Sequence, residues 1–125
     1  MAVVPGMGTP ITVIAGADLS ALQGYHVKLN NSGQAIAMAA ITDIPFGILQ
    51  NAPASGEPAS VIPVGSGLSK VALGATLAPG ALISSSATGL AVAAVATAYT
   101  TGQLIDGGAN GEMGVANLAP QIPKA

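Results

Sequence analysis

Apolar residues along the chain fall in short runs that alternate with polar positions and are separated by glycine, proline and asparagine. Such alternation is typical of half-buried β-strands, because successive side chains of a strand point to opposite faces. In Leu68–Leu73, for example, Ser69, Val71 and Leu73 would share one face. Comparable patterns predict strands at residues 11–14, 26–29, 35–39, 45–50 and 59–65.

Two of these patterns are predicted to form β-hairpins. Residues 26–39 turn at Asn30–Gly33, where Asn and Gly tolerate the positive φ angles of tight turns. Residues 80–95 are predicted to turn at Ser86–Gly89. Pro63 has no backbone N–H, so its strand is predicted to be a sheet edge or to contain a bulge. Short strands with glycine-rich turns predict a mainly β domain of the barrel, sandwich or β-tulip-like type.

One short helix or helical turn is predicted in the segment GADLSALQG, residues 16–24. Asp18 can cap its first turn, and Gly24 can end it. Alanine favours helix, so residues 35–41 and 90–98 are compatible with helices as well as with strands. The helical alternative stays open for these two segments.

Two halves of the chain share one pattern of glycines and apolar residues. Residues 24–58 align with residues 80–113 when a one-residue gap is allowed, which places Gly33 on Gly89. We interpret the two segments as pseudo-repeats within a single domain. A chance match in a chain rich in alanine and glycine is the alternative.

The alignment brings Gly56-Glu57 and Gly111-Glu112 to equivalent positions. We interpret each pair as the same turn between two strands, in which glycine supplies backbone freedom and glutamate leads into the next strand. The two glutamates could instead be paired carboxylates for acid–base chemistry. That chemistry needs a cleft, and nothing in the sequence places them in one, so we favour repeated turns.

Composition and charge exclude several classes of protein. Half of the residues are hydrophobic, but aromatic residues make up only 2% and charged residues 6%, against about 25% charged in an average domain. Three basic residues cannot form a nucleic-acid footprint. The apolar run at residues 90–98 is far shorter than the ~18 residues that suggest a membrane span. A chain so poor in charge must hide its surface, which predicts an oligomer.

The sequence offers little chemistry for an active site. It has no cysteine and a single histidine, His26. His26 could be a general base, but no nucleophile motif accompanies it, so a structural or surface position is the favoured interpretation. Residues 106–112, DGGANGE, carry spaced oxygen ligands without matching a calcium loop. We therefore expect a protein that is not an enzyme, with no catalytic residue, cofactor or metal.

Four segments stand out in order along the chain. They are DLSALQGYHVKL (18–29), PFGILQNAPASGEPASV (45–61), GLSKVALGATLAPGALISSSATG (67–89) and GANGEMGVANL (108–118). In this order they resemble the small capsid decoration (cement) proteins of tailed bacteriophages, over residues 15 to about 118. The resemblance implies a β-rich homotrimer on the outside of an icosahedral virion head, bound to the major capsid protein.

The first fourteen residues, MAVVPGMGTPITVI, are predicted to be an extended arm. Prolines and glycines oppose a helix there, while the apolar residues are unusual for a segment meant to stay in water. An extended apolar segment can add a strand to a neighbour's sheet. The alternative is an ordinary chain terminus. The arm residues predicted to contact the capsid are Val3, Val4, Pro5, Met7, Thr9, Pro10 and Ile11.

The sequence thus predicts an arm at residues 1–14, a β domain at 15–118 and a tail at 119–125. A second functional class stays open beside capsid decoration: a module that binds carbohydrate or cell surfaces, such as a head fibre base or a secreted adhesin. Such a module would use exposed aromatic residues to stack on sugars, and the chain has two tyrosines.

Overall fold

The computed structural model describes residues 8–119 as β-strands joined by turns and short loops. This range contains no helix, and so none that could cross a bilayer. The ten strands are β1 (Ile11–Ile14), β2 (His26–Leu29), β3 (Ala35–Ala37), β4 (Gly47–Leu49), β5 (Pro58–Pro63), β6 (Gly67–Ala72), β7 (Leu82–Ser85), β8 (Ala91–Ala93), β9 (Thr100–Asp106) and β10 (Met113–Leu118). The mainly β fold class is therefore confirmed.

The strands form two antiparallel sheets of five with the same order of strands. The first sheet has the order β1-β5-β4-β2-β3, and the second has the order β6-β10-β9-β7-β8. Adding five to each strand number of the first sheet gives the second. The fold consists of two halves with one topology, which is the arrangement that the sequence pattern predicted.

Each sheet curls until its two edges approach, but neither closes into a barrel. A single parallel bridge joins Ala15 to Ala35 in the first half, and an equivalent bridge joins Leu73 to Ala91 in the second. The backbone bonds are Gly16 N–H to Ala35 and the corresponding Gly74 N–H to Ala91, both at 2.8 Å. One bridge per sheet does not make a ladder, so of the predicted alternatives the closed barrel is not formed, and the fold has two open, curled sheets.

Both predicted hairpins are present. β2 pairs with β3, and β7 pairs with β8, both in antiparallel register. Gly33 and Gly89 close the two turns with φ angles of 73° and 97°, the left-handed region that glycine enters without steric cost. The segments for which a helix remained possible are therefore strands followed by loops.

Residues 16–24 do not form the predicted helix, and the segment contains only single turns, such as the one closed by Leu22 N–H and the carbonyl of Leu19. The backbone N–H groups there make no helical bonds to residues four positions earlier: Leu19 donates to Pro53 and Gly24 donates to Leu49, both distant in sequence. Asp18 does cap a turn, since its carboxylate accepts from Ser20 N–H at 3.1 Å. Leu19 is completely buried, so tertiary packing overrides the weak local helical preference.

The prediction for Pro63 is also wrong. Its strand, β5, lies between β1 and β4 rather than at a sheet edge, and β5 pairs with both neighbours without a bulge. Val64 N–H bonds to the carbonyl of Phe46, on the side of β4. Because successive residues of a strand direct their N–H groups to opposite sides, the nitrogen of Pro63 faces β1. Pairing with β1 stops at Val61, and the missing N–H of Pro63 therefore costs no ladder bond.

The two halves share part of their hydrophobic core. One cluster lies within the first half and includes Val27, Leu49 and Val61. The other combines Ile48 and Ile62 of the first half with residues of the second half. Strand β4 is buried on both faces for this reason. Because the halves share a core, the described chain forms a single folded unit.

Candidate functional site

The two Gly-Glu turns have the same hydrogen bonds. Glu57 Oε1 accepts from Ala54 N–H at 2.8 Å, and Glu112 Oε1 accepts from Ala109 N–H at 2.7 Å. The glycines before them, Gly56 and Gly111, have φ angles of 84° and 90°. Each carboxylate thus caps its own exposed turn. Each glutamate stabilises the turn that connects two strands, and its hydrogen bond lies within that turn rather than in a site shared by both glutamates.

Glu57→Ala and Glu112→Ala should each lower the free energy of unfolding by about 0.5–1 kcal/mol, because each removes one hydrogen bond to a backbone N–H in an exposed turn. Glutamine retains an acceptor oxygen, so Glu57→Gln should cost less than Glu57→Ala. Urea unfolding of the purified variants measures both losses. A loss of several kcal/mol from one of the glutamates alone would contradict the equivalence of the two turns.

His26 lies at the junction between the two halves and is completely buried. Its Nδ1 donates to the carbonyl of Gly89 at 3.0 Å, and its Nε2 accepts from the Thr101 hydroxyl at 2.8 Å. A carbonyl can only accept, which assigns the proton of the neutral ring to Nδ1. Burial lowers the pKa of His26 to about 4, although the bond to Gly89 opposes that shift. Both ring nitrogens are engaged in holding the halves together.

The second half departs from the repeat where it meets His26. Ile83 pairs with Gly102 and Ser84 pairs with Thr100, which leaves Thr101 as the extra residue of a bulge. Bulges redirect side chains, and this one accompanies the bond from the Thr101 hydroxyl to the ring. The turn at Gly89 packs directly on His26, whereas the equivalent turn at Gly33 has open space around it.

A cluster of exposed apolar side chains marks one region of the molecule. Two equivalent loops contribute to it: the β3–β4 loop, residues 38–46, and the β8–β9 loop, residues 94–99. We call the cluster the apolar end patch. It consists of Leu29, Ile41, Ile44, Val95 and Tyr99, which are between 39% and 67% exposed.

A groove of about 520 Å³ runs through the apolar end patch. Ile44 of one loop and Tyr99 of the other both line it, together with Leu29 and Phe46. Two smaller depressions adjoin the groove, one sharing Tyr99 and one that includes Val95. Among residues 8–119, no charged residue lines any of the three. The arrangement is suited to binding apolar surface.

Asp43 holds the β3–β4 loop in place. Its carboxylate accepts from Lys28 Nζ at 2.8 Å and from the backbone N–H groups of Ala39 and Ala40. The hydrogen bond from Lys28, followed by that from Ala39, lowers the pKa of this carboxyl. The loop that carries Ile41 and Ile44 is therefore fixed by several bonds to one side chain.

The predicted arm lies only partly within the described residues. Val3, Val4, Pro5 and Met7 lie outside them. Thr9 and Pro10 are exposed, while Ile11 belongs to β1 and pairs with Val61. Gly8 donates to the carbonyl of Leu68 at 2.9 Å.

Both ends of the described chain lie at the connection between β5 and β6. Gly8 lies so close to it that an added Cβ would approach the Ser66 carbonyl oxygen to 2.7 Å. From the other end, the carbonyl of Leu118 accepts from Gly65 N–H. Pro63, at the end of β5, and Val64 of the same connection line the apolar groove.

The strand pattern did not identify the apolar end patch. Its signal was present as large apolar residues in segments without alternation, such as Ile41 and Ile44 beside Asp43. A pattern restricted to strands assigns no face to such residues. Among residues 8–119 no group of three or more His, Cys, Asp or Glu side chains could hold a metal.

No protein-family model matches the sequence, and no curated protein sequence matches it at a significant level. Among solved structures, the head fiber gp8.5 N base of bacteriophage phi29 is similar to this chain, with a TM-score of 0.67 and 16% sequence identity. The similarity covers 95% of this chain and 98% of that chain. At this identity the comparison shows a shared fold.

Proposed function

We propose that this protein is a non-enzymatic structural component of a bacteriophage head that binds the capsid exterior and stabilises it, as a decoration protein. The observation that carries the proposal is the similarity in fold, over almost the whole of both chains, to a head fiber base. The ordered sequence segments that resemble capsid decoration proteins support the same location. The partner would be the major capsid protein, and the protein would associate as a homotrimer.

The side chains with catalytic potential support a structural function. Both nitrogens of His26 are used inside the fold, and Glu57 and Glu112 are used in their own turns. The apolar end patch offers a docking surface without charge. These features suit a protein that works by contact.

A head fibre base is the second candidate, and the solved structure of such a base favours it directly. A fibre base and a decoration protein would both bind the head surface, but only the decoration protein must reinforce the shell. Sugar binding has less support, because Tyr99, at 49% exposure, is the only aromatic residue among residues 8–119 that is exposed.

The test is co-sedimentation of the purified protein with heads of its phage that lack it. Saturable binding is expected, and decorated heads should withstand a higher temperature before releasing DNA. Binding without any gain in heat resistance would favour the fibre base over the decoration protein. A complete lack of binding would contradict both.

Deletion of Ala2–Thr9 should weaken head binding at least tenfold. The deleted segment is extended and apolar in sequence, and such segments can gain affinity by strand addition. The matched control removes residues 120–125 from the other terminus. Circular dichroism should show that both variants fold. Equal head affinity of the two variants would show that the arm is not the anchor.

A further inference from the structure

We propose that the apolar end patch is a self-association surface, covered in solution by a second copy of this chain. This surface would be the contact through which the proposed oligomer forms, so the proposal rests on the self-association given under the proposed function. It does not depend on attachment to a head. The surface consists of the five side chains named above and the groove, which Leu29, Ile44 and Tyr99 line.

The position of the patch is built into the repeat. The β3–β4 and β8–β9 loops occupy the same place in the two halves, and the junction at His26 brings the halves together. Ile44 from one loop and Tyr99 from the other consequently line a single groove. The groove of the patch is therefore formed by side chains from both halves.

The size of the patch matches what one side of an interface supplies. Its five residues expose on the order of 500 Å² of surface, most of it apolar, against ~300–600 Å² in the largest apolar patch of a typical monomer. A standard interface buries about 800 Å² on each partner, of which a little over half is apolar. The apolar surface of the patch is about equal to the apolar area that one partner buries in such an interface.

Charge favours another copy of the chain as the occupant. Lys28, beside Leu29, and Asp43, beside Ile44, neutralise each other through an ion pair of 2.8 Å. A partner with a charged face would find no complementary charge. A second copy presents the same uncharged apolar surface, and a net charge of −2 gives little repulsion between copies.

The fixed geometry of the loop also suits association. Asp43 bonds to Lys28, Ala39 and Ala40 before any partner arrives. A preorganised surface loses less conformational entropy on binding than one that must become ordered. Ile44, at 67% exposure, is the most exposed large apolar residue of the patch and would contact the neighbouring copy in this arrangement.

Sedimentation equilibrium of the full-length protein tests this proposal with Ile44→Asp. The matched control is Ile105→Asp, which places the same charge at a residue of 53% exposure on β9 that does not line the groove. We expect the wild type and Ile105→Asp to associate equally. Ile44→Asp should raise the dissociation constant at least a hundredfold, with an unchanged circular dichroism spectrum.

A second variant, Tyr99→Asp, approaches the groove from the other loop and should have the same effect if Ile44→Asp fails to fold. Equal association of the patch variants and Ile105→Asp would overturn the proposal. A monomeric wild-type protein would also overturn it. In that case, slow nitration of Tyr99 would indicate that the groove is covered by another part of the same chain. Because no heads are present, failure here leaves the head-binding proposal standing, and failure to bind heads leaves this one standing.

Discussion

Gly102→Ala is expected to lower the free energy of unfolding by at least about 3 kcal/mol, a large part of the stability of an ordinary domain. Gly102 lies in β9, and a Cβ added there would strike the carbonyl oxygen of Asn117. It would also lie 3.2 Å from the Cα of Leu118. These are backbone atoms of the adjacent strand, so only a shift of the strand can relieve the contact.

The first half has the same requirement at the equivalent position, Gly47 in β4. A Cβ there would strike the carbonyl oxygen of Ile62 and approach the Cα of Pro63 to 2.8 Å. Neither Gly47 nor Gly102 has a positive φ angle. Glycine is needed for the close approach of two strands, which any side chain would prevent. Gly47→Ala should therefore be about as damaging as Gly102→Ala.

Gly33→Ala is the matched control, because Gly33 is needed for its backbone conformation and not for lack of space. Gly33 has a φ angle of 73° and nothing within 4 Å of an added Cβ. Its replacement should cost only the left-handed backbone penalty, about 1–2 kcal/mol. Denaturant unfolding of the three variants measures the difference. If Gly102→Ala were no less stable than Gly33→Ala, the close approach of β9 and β10 would not limit stability.

Acidification from pH 6.5 to pH 4 is expected to remove about 3 kcal/mol of stability through His26. The pKa of His26 is about 4 in the folded protein and 6.5 in an unfolded chain. Between these values the unfolded state binds a proton that the folded state does not. The stabilising contribution of the neutral ring is thus complete above pH 6.5 and is lost as the pH falls toward 4.

The lowered pKa has a geometric cause. Protonation would place a charge in a site with no accessible surface, where the ring contacts Gly89 and Thr101 and no carboxylate is hydrogen-bonded to it. The two aspartates with lowered pKa values, Asp18 and Asp43, act in a different range. Their contribution is present above their ordinary pKa of 3.8 and is lost only below it.

His26→Gln should separate these effects. Glutamine does not titrate, so the variant should be less stable than the wild type at pH 7.5 but should lose little further stability between pH 6.5 and 4. Chemical unfolding at a series of pH values gives both curves. Parallel curves over that interval would show that another group causes the acid sensitivity.

The shared topology of the halves was predictable because it depends on local pattern. The turns at Gly33 and Gly89 need a left-handed residue, and glycine there, between two apolar alternations, indicates a hairpin. The Gly-Glu pairs are recognisable for the same reason, since each carboxylate bonds only three residues away. Such features form wherever the same few residues occur together.

The failures of prediction occur where distant residues decide the structure. Residues 16–24 are not helical because their N–H groups bond to Pro53 and Leu49. Pro63 fits inside a sheet because β1 ends before reaching it. Neither fact can be read from neighbouring residues, since both depend on which strands lie side by side.

By itself the sequence determined the strands, the repeated turns and the scarcity of charge, each of which follows from residue types and their spacing. Only the tertiary structure decided that His26 is buried between the halves, because its partners Gly89 and Thr101 lie 63 and 75 residues away. It also decided that Ile44 and Tyr99 line one groove. Burial and proximity arise when the two halves pack, and local pattern does not specify that packing.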